Sequence, residues 1–198
     1  MMHFCKISAE GVWLNGELYF SPSEESEDWK KEVYRSLDLA YPKFFKMDDL
    51  SKMTILCFEV LKTKLNLELY SDDDISVLLG NSNSSLYTDQ LFEHSYTKKQ
   101  QASPSLFVYT LPNITTGELA IKNKFYGENM FLIAASFSQM PYLIWVNKEL
   151  KNYSKACLCG WVEKTIEQEE CFLFITDETL THIDINRLNK KHENHGSL

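Results

Sequence analysis

The chain has 198 residues, a length that suits one domain with a substantial core. Its hydrophobic fraction of 44% indicates a folded protein and excludes a disordered one. The net charge of -8 argues against nucleic-acid binding, because contacts to phosphates require clustered Lys and Arg. Polar residues and Pro141 interrupt the apolar stretch from residue 130 to 146, so we predict no membrane span.

The cysteines argue against a metal or redox site. Their positions show neither metal-ligand nor redox spacing: Cys5, Cys57, Cys157, Cys159 and Cys171. Cys157 and Cys159 alternate along a predicted strand and should face the same side of it. The N-terminal residues do not have the pattern of a signal peptide. We therefore expect reduced, buried thiols in a cytoplasmic protein, and we predict neither a metal nor an organic cofactor.

Apolar periodicity and breaker residues predict the elements of the chain in order. The Asn15-Gly16 pair suits a tight hairpin turn with positive φ, and Asp48 suits a helix N-cap. Pro112 should kink or split the helix that contains it. The predicted elements are a strand over 3–8, a hairpin of 12–14 and 17–20, helices over 29–40 and 49–62, a strand over 75–79, a helix over 86–96, a long helix from 104, a strand over 130–135, a helix over 140–153, and strands over 156–163 and 170–176.

Without the hairpin, this order is βαβαβαββ, and such alternation favours a parallel sheet with crossover helices. We therefore predict an α/β fold with a mostly parallel five-stranded sheet, helices on its faces and an N-terminal β-hairpin. Residues 1–185 would form a single domain, and residues 186–198 would form a polar, frayed tail.

Ser136 is the candidate catalytic residue. It follows the apolar run of residues 130–135, which is typical of a strand buried on both faces, and it precedes a predicted helix. Three interpretations stay open: a polar cap without chemistry, a former nucleophile position beside an acyl or partner groove, and an active nucleophile. The third requires a nearby histidine, and sequence context places none of the five: His3, His94, His182, His192 and His195.

Three segments carry a resemblance to a known family: YPKFFKMDDLSKM, ISVLLGNSNSS and SPSLFVYTLPNITTGELAIKNKFYGE. Together they resemble the β-ketoacyl synthases, condensing enzymes of the thiolase fold. The likeness spans about residues 40–163 and is greatest to the small ketosynthase-like proteins of bacterial aryl-polyene and flexirubin-type pigment pathways. It implies one thiolase-like half, whose helical face either has become polar or is covered by another chain.

The resemblance also assigns site residues. It puts Ser136 in the place of the family's nucleophilic cysteine, and the catalytic histidines and lysine belong to a second half for which 198 residues leave no room. We interpret the match of His195-Gly196-Ser197 to a family histidine motif as coincidence. Two further sets match family positions. Leu111, Asn113 and Ile114 match positions near the acyl channel and dimer interface, although ordinary packing around Pro112 explains them equally well. The second set matches the strand that pairs across subunits: Met130, Phe131, Leu132 and Ile133.

Our leading hypothesis from the sequence is a non-catalytic accessory subunit, similar to a chain-length factor, in fatty-acid or polyketide assembly of the aryl-polyene type. It would bind a ketosynthase, an acyl carrier protein or both. One alternative is an independent acyltransferase or thioesterase-like enzyme that uses Ser136. Another is a homodimer that binds an acyl ligand without converting it.

Overall fold

A computed structural model describes residues 2–23, 25–98 and 100–193. These residues contain the strands β1 (His3–Ser8), β2 (Gly11–Leu14), β3 (Glu17–Phe20), β4 (Ile75–Asn81), β5 (Asn129–Ile133), β6 (Ala156–Lys164) and β7 (Glu169–Thr176). The helices are α1 (Trp29–Ser36), α2 (Asp49–Lys62), α3 (Leu86–Thr97), α4 (Pro104–Val108), α5 (Ile114–Asn123), α6 (Tyr142–Asn152) and α7 (His182–Glu193). Each element up to β7 matches a predicted one, with shifts at the ends, and the long predicted helix corresponds to α4 and α5.

The seven strands form one sheet in the order β3-β2-β1-β7-β6-β4-β5. Its N-terminal end is a meander whose β2–β3 turn contains Asn15 and Gly16, both with positive φ as predicted. The hairpin is therefore part of the main sheet and does not stand beside it. The predicted α/β fold is confirmed in its element order.

The prediction of a mostly parallel sheet is wrong. Only the β4–β5 and β4–β6 pairs are parallel, whereas the other four neighbouring pairs are antiparallel. The reason is the short connection between β6 and β7, which folds β7 back beside β6. Strand β7 lies between β6 and β1 and is antiparallel to both. Strand β1 therefore has no parallel neighbour in the sheet.

Helices cover both faces of the sheet. Helices α2 and α5 pack on one face, in a cluster of buried residues that includes Met53, Phe58 and Leu119. Helices α6 and α7 pack on the other face, in a smaller cluster rich in aromatic rings. All five cysteines are free and buried, and Cys157 and Cys159 lie on the same face as predicted.

Pro112 separates α4 from α5, so the predicted split of the long helix is confirmed. The Asp48 carboxylate accepts a hydrogen bond from the Ser51 amide at 3.1 Å, which confirms the predicted N-cap of α2. Local side-chain chemistry therefore sets these helix boundaries, as expected for proline and for a capping aspartate.

The C-terminal residues differ from the prediction of a frayed tail. Residues 186–193 belong to α7, whose Leu188 is buried among aromatic residues of the sheet. Helix α7 is polar overall, and one buried leucine in a polar stretch does not give a recognisable helical stripe. The His195-Gly196-Ser197 segment lies outside the described residues.

The apolar strand before Ser136 also lies elsewhere than predicted. Strand β5 is the edge of the sheet, pairs only with β4, and is half-buried instead of buried on both faces. Its residues Met130 and Leu132 contact the α6–α7 side, and Phe131 contacts the α2–α5 side. A continuous apolar run therefore indicates here an edge strand whose central residues are partly buried against both sides of the sheet.

Candidate site at the carboxyl ends of the parallel strands

The carboxyl ends of β4, β5 and β6 meet at one edge of the sheet because these strands are parallel. Ligands of open α/β sheets usually bind outside such an edge. The loop of residues 81–85 follows β4, and the turn at Ser136 follows β5. The Ala134 amide donates to the Asn81 carbonyl at 3.0 Å, so the two segments are joined directly.

A buried carboxylate orders the loop after β4. Glu163, near the end of β6, accepts hydrogen bonds from the Ser82 amide at 2.8 Å, the Ser82 hydroxyl at 2.6 Å and the Asn83 side chain at 3.2 Å. Three donors satisfy a carboxylate that would otherwise be costly to bury. Sequence reasoning missed Glu163, although a charged residue in an otherwise apolar strand was a usable signal.

Ser136 has an extended backbone and precedes a single 3₁₀ turn of residues 137–139. Its side chain caps no backbone amide of that turn. Helix α6 begins at Tyr142, two residues later than predicted, and its N-cap residue is Pro141, so Ser136 does not cap this helix. The 3₁₀ turn of residues 137–139 lies between them.

The hydroxyl of Ser136 forms its hydrogen bond with the Ser138 hydroxyl, at 3.0 Å. Within residues 2–23, 25–98 and 100–193, no hydrogen bond joins Ser136 to a histidine. Activation of a serine requires a base within hydrogen-bond reach. The catalytic role of Ser136 therefore stays a prediction.

A histidine does lie next to the Ser136 turn. The ring of His192, on α7, stacks on the ring of the buried Phe137 with centroids 4.6 Å apart and an interplanar angle of 7°. The His192 ring also makes a T-shaped contact with the ring of Phe172, with centroids 5.7 Å apart. His192 thus contacts the residue after Ser136 through its ring face and not through a hydrogen bond to the hydroxyl.

Contacts with Glu170 and Lys6 hold this histidine in place. Its Nε2 atom lies 3.3 Å from Glu170, and the Lys6 ammonium lies 3.4 Å from the same carboxylate. Lys6 also donates to the His192 carbonyl at 2.6 Å. Burial alone raises the pKa of Glu170, but His192 and Lys6 outweigh it and lower that pKa to about 2.

The residues that the resemblance assigned to an acyl channel lie around the start of α5. Leu111 and Asn113 are exposed, and Asn113 is the N-cap residue of α5 without a capping side-chain bond. Ile114 is partly buried against the α2–α5 cluster. Within the described chain, no side-chain hydrogen bond joins these residues to Ser136, whose hydroxyl interacts with Ser138. Their binding role stays a prediction.

The four residues assigned to a partner interface lie on the open edge of β5. Ile133 is 53% exposed, and Met130, Phe131 and Leu132 are partly buried. Among the described residues, no group of three His, Cys, Asp or Glu side chains converges to hold a metal ion. None of the helices described is both long and apolar enough to cross a membrane.

Comparison with known proteins gives structural matches only. No protein-family model matches the chain, and no curated protein matches it. A solved ketosynthase (ApeO) in complex with its chain length factor (ApeC), from Xenorhabdus doucetiae, matches with a TM-score of 0.58 and 14% identity. The match covers 87% of this chain and 75% of that one. The chain has a ketosynthase-like thiolase fold.

Two further structures support this fold. The ishigamide ketosynthase/chain length factor matches with a TM-score of 0.61 and 14% identity, over 88% of this chain and 60% of that one. The AntDE:AntF complex, a type II acyl-carrier protein with its ketosynthase bound to the hexaketide, matches with a TM-score of 0.55 and 12% identity. That match covers 74% of this chain and 56% of the other. This chain therefore spans less than two thirds of these two proteins, and the resemblance is confirmed for the fold.

Proposed function

We propose that this chain is a non-catalytic, ketosynthase-like accessory subunit, similar to a chain length factor, in a cytoplasmic fatty-acid or polyketide pathway of the aryl-polyene type. It binds a ketosynthase, an acyl carrier protein or both, and it helps to shape the acyl pocket of the assembly. The observation that carries this proposal is the open, apolar edge of β5.

Strand β5 has the properties of an interface strand. Its backbone pairs on one side only, with β4, and Ile133 exposes an apolar side chain beside the open edge. Proteins normally cover such edges or mark them with charges, and residues 129–133 carry none. Pairing with a partner strand would satisfy the backbone groups and bury the apolar surface together.

The surroundings of Ser136 support a role without chemistry. Its hydroxyl interacts with Ser138, and the neighbouring His192 faces Glu170 with its Nε2 atom. A serine without an aligned base is a weak nucleophile at neutral pH. These contacts favour an accessory role over acyl transfer or hydrolysis by this chain.

The structural neighbours suggest the kind of partner. One is a ketosynthase solved with its chain length factor, and another is a ketosynthase solved with an acyl-carrier protein. By analogy we assign a ketosynthase or an acyl carrier protein as the partner of this chain. We also assign Leu111, Asn113 and Ile114 to the acyl-channel side of that assembly.

Affinity capture of the tagged chain from its native cells tests the proposal, with partners identified and quantified by mass spectrometry. We expect a ketosynthase or an acyl carrier protein in near-stoichiometric amount, absent from a capture with the tag alone. Recovery of the chain only as a homodimer would support the acyl-binding alternative. Recovery as a monomer without partners would contradict both.

A further inference from the structure

The α4 segment, which is defined as residues 103–112, buries a single side chain. The structure describes all of these residues, and among them only Tyr109 is buried, at 7% exposure. The apolar side chains of Phe107, Val108 and Leu111 are 61%, 47% and 57% exposed. Burial of apolar surface therefore contributes little to holding this segment on the core, and specific polar contacts become decisive.

Tyr109 connects the α4 segment to the core. Its ring belongs to the cluster of buried residues around α2 and α5, and its hydroxyl donates a hydrogen bond of 3.0 Å to Glu118 Oε1. Burial and the negative charge of Glu118 raise the pKa of Tyr109, so the hydroxyl keeps its proton at neutral pH. A hydrogen bond to a carboxylate is stronger than one between neutral groups. Tyr109 is therefore the anchor of the segment.

Further contacts join the α4 segment to α3. The hydroxyl of Ser85, the N-cap residue of α3, donates to the Thr110 carbonyl at 2.6 Å. The rings of Phe92 and Phe107 lie 5.5 Å apart between centroids. Helix α3 is itself mostly exposed, since only two small polar residues are buried among its described residues. These contacts therefore add a second hydrogen bond but little burial in the core.

Loss of the Tyr109 hydrogen bond does not leave Glu118 without a partner. The Oε2 atom of Glu118 lies 2.6 Å from the ammonium of Lys43, which is outside the α4 segment. A buried carboxylate that keeps a cation beside it is far less costly than an unpaired one. The Tyr109 hydroxyl, for its part, gains water when the segment leaves. Both sides of this contact therefore tolerate its separation.

We propose that the α4 segment is a strap that opens and closes while the rest of the chain stays folded, with the Tyr109–Glu118 hydrogen bond holding it closed. The segment ends at Pro112, whose nitrogen carries no hydrogen, so its opening breaks no amide hydrogen bond at that position. Helices α2 and α5 stay in place, because most residues of α2 and the middle of α5 are buried. This motion belongs to the chain itself and is independent of the proposed accessory function.

Hydrogen–deuterium exchange of the purified full chain, resolved by residue, tests the proposal. The amides of Phe107, Tyr109 and Thr110 donate to backbone carbonyls within the α4 segment, so their exchange measures its opening. We expect these amides to exchange at least about tenfold faster than amides in the middle of α2, because local opening requires less free energy than global unfolding. Equal protection of the segment and of α2 would overturn the proposal.

Variants test the closing contact. Tyr109→Phe removes only the hydroxyl and should speed exchange in the α4 segment about tenfold or more, with α2 unchanged. Ser85→Ala removes the second hydrogen bond and should act in the same direction, by about threefold. The matched control Tyr142→Phe removes a buried hydroxyl that donates to the Gly160 carbonyl, and should leave the segment unchanged. Exchange that is unchanged in both test variants, or that rises equally in the segment and in α2, would overturn the proposal.

Discussion

The ring of Phe137 lies parallel to the ring of His192, and this stacking joins the turn after Ser136 to the C-terminal helix α7. A thiolase-like half was expected to leave one helical face polar or covered by another chain. That expectation stays a prediction; α7 covers part of the sheet face on which α6 also packs, with Leu188 and the His192 ring. The C-terminal helix is therefore a structural part of the candidate site.

Leu188→Ala tests this role of α7. The side chain is 1% exposed, so its truncation should lower the free energy of unfolding by about 2 to 4 kcal/mol. The matched change Ile183→Ala, at a 64% exposed position of the same helix, should alter it by less than about 0.5 kcal/mol. Urea denaturation measures both values. Equal, small effects would mean that α7 contributes nothing to stability.

The error about residues 186–193 has a simple physical cause. Helix α7 is stabilised by tertiary contacts of Leu188, by the contacts of His192 with Phe137 and Glu170, and by the hydrogen bond from Lys6, none of which a local pattern reveals. By contrast, the hairpin at Asn15-Gly16, the cap at Asp48 and the break at Pro112 depend on local chemistry and were predicted correctly. Local signals fixed the boundaries of elements, whereas long-range contacts fixed what lies against them.

Glu170 makes the free energy of unfolding depend on pH. Its pKa is about 2 in the folded chain and near its ordinary value of 4.5 in the unfolded chain. The ionised carboxylate therefore contributes fully to stability above about pH 4.5. The contribution is lost as the pH falls through this range. Glu170→Gln should lower the free energy of unfolding by about 1 to 2 kcal/mol at pH 7 and flatten its decline below pH 4.5. Chemical denaturation across pH 2 to 7 measures this; parallel curves would contradict the assignment.

Asp48 should give the opposite pH dependence, lowering the free energy of unfolding as the pH rises. Burial raises the pKa of this N-cap carboxyl to about 6, although hydrogen bonds from Ser51 lower it. The folded chain therefore holds the proton more tightly, and stability falls as the pH rises from about 4 through 6. Asn also caps helices, so Asp48→Asn should raise the free energy of unfolding by about 1 kcal/mol at pH 8 and change little at pH 4. A stabilisation equal at both pH values would exclude this cause.

Ser136→Ala tests the absence of chemistry. Because no histidine base engages the Ser136 hydroxyl among the described residues, the unmodified chain should hydrolyse thioesters and esters no faster than the variant does. The rate of thioester cleavage and covalent labelling by a serine-reactive acyl probe are the measurements. Labelling or turnover that disappears in the variant would favour the acyltransferase or thioesterase alternative.

The candidate site could be predicted from the sequence only in part. The polar turn at Ser136 was recognised as the feature that follows an apolar strand, and it meets the loop after β4 at one edge. The groups that order this edge come from β1, β6, β7 and α7, as Lys6, Glu163, Glu170 and His192. Their convergence depends on strand order, which the sequence pattern did not specify.

The most direct test of the accessory-subunit proposal is quantitative affinity capture from native cells with edge variants of the chain. Ile133→Lys places a charge beside the open edge of β5, and Leu18→Lys places one at a 62% exposed position of β3, the opposite edge strand. We expect Ile133→Lys to reduce the recovered ketosynthase or acyl carrier protein about tenfold or more, and Leu18→Lys to leave it unchanged. Recovery of the same partners in equal amount with all three chains would contradict an interface at β5.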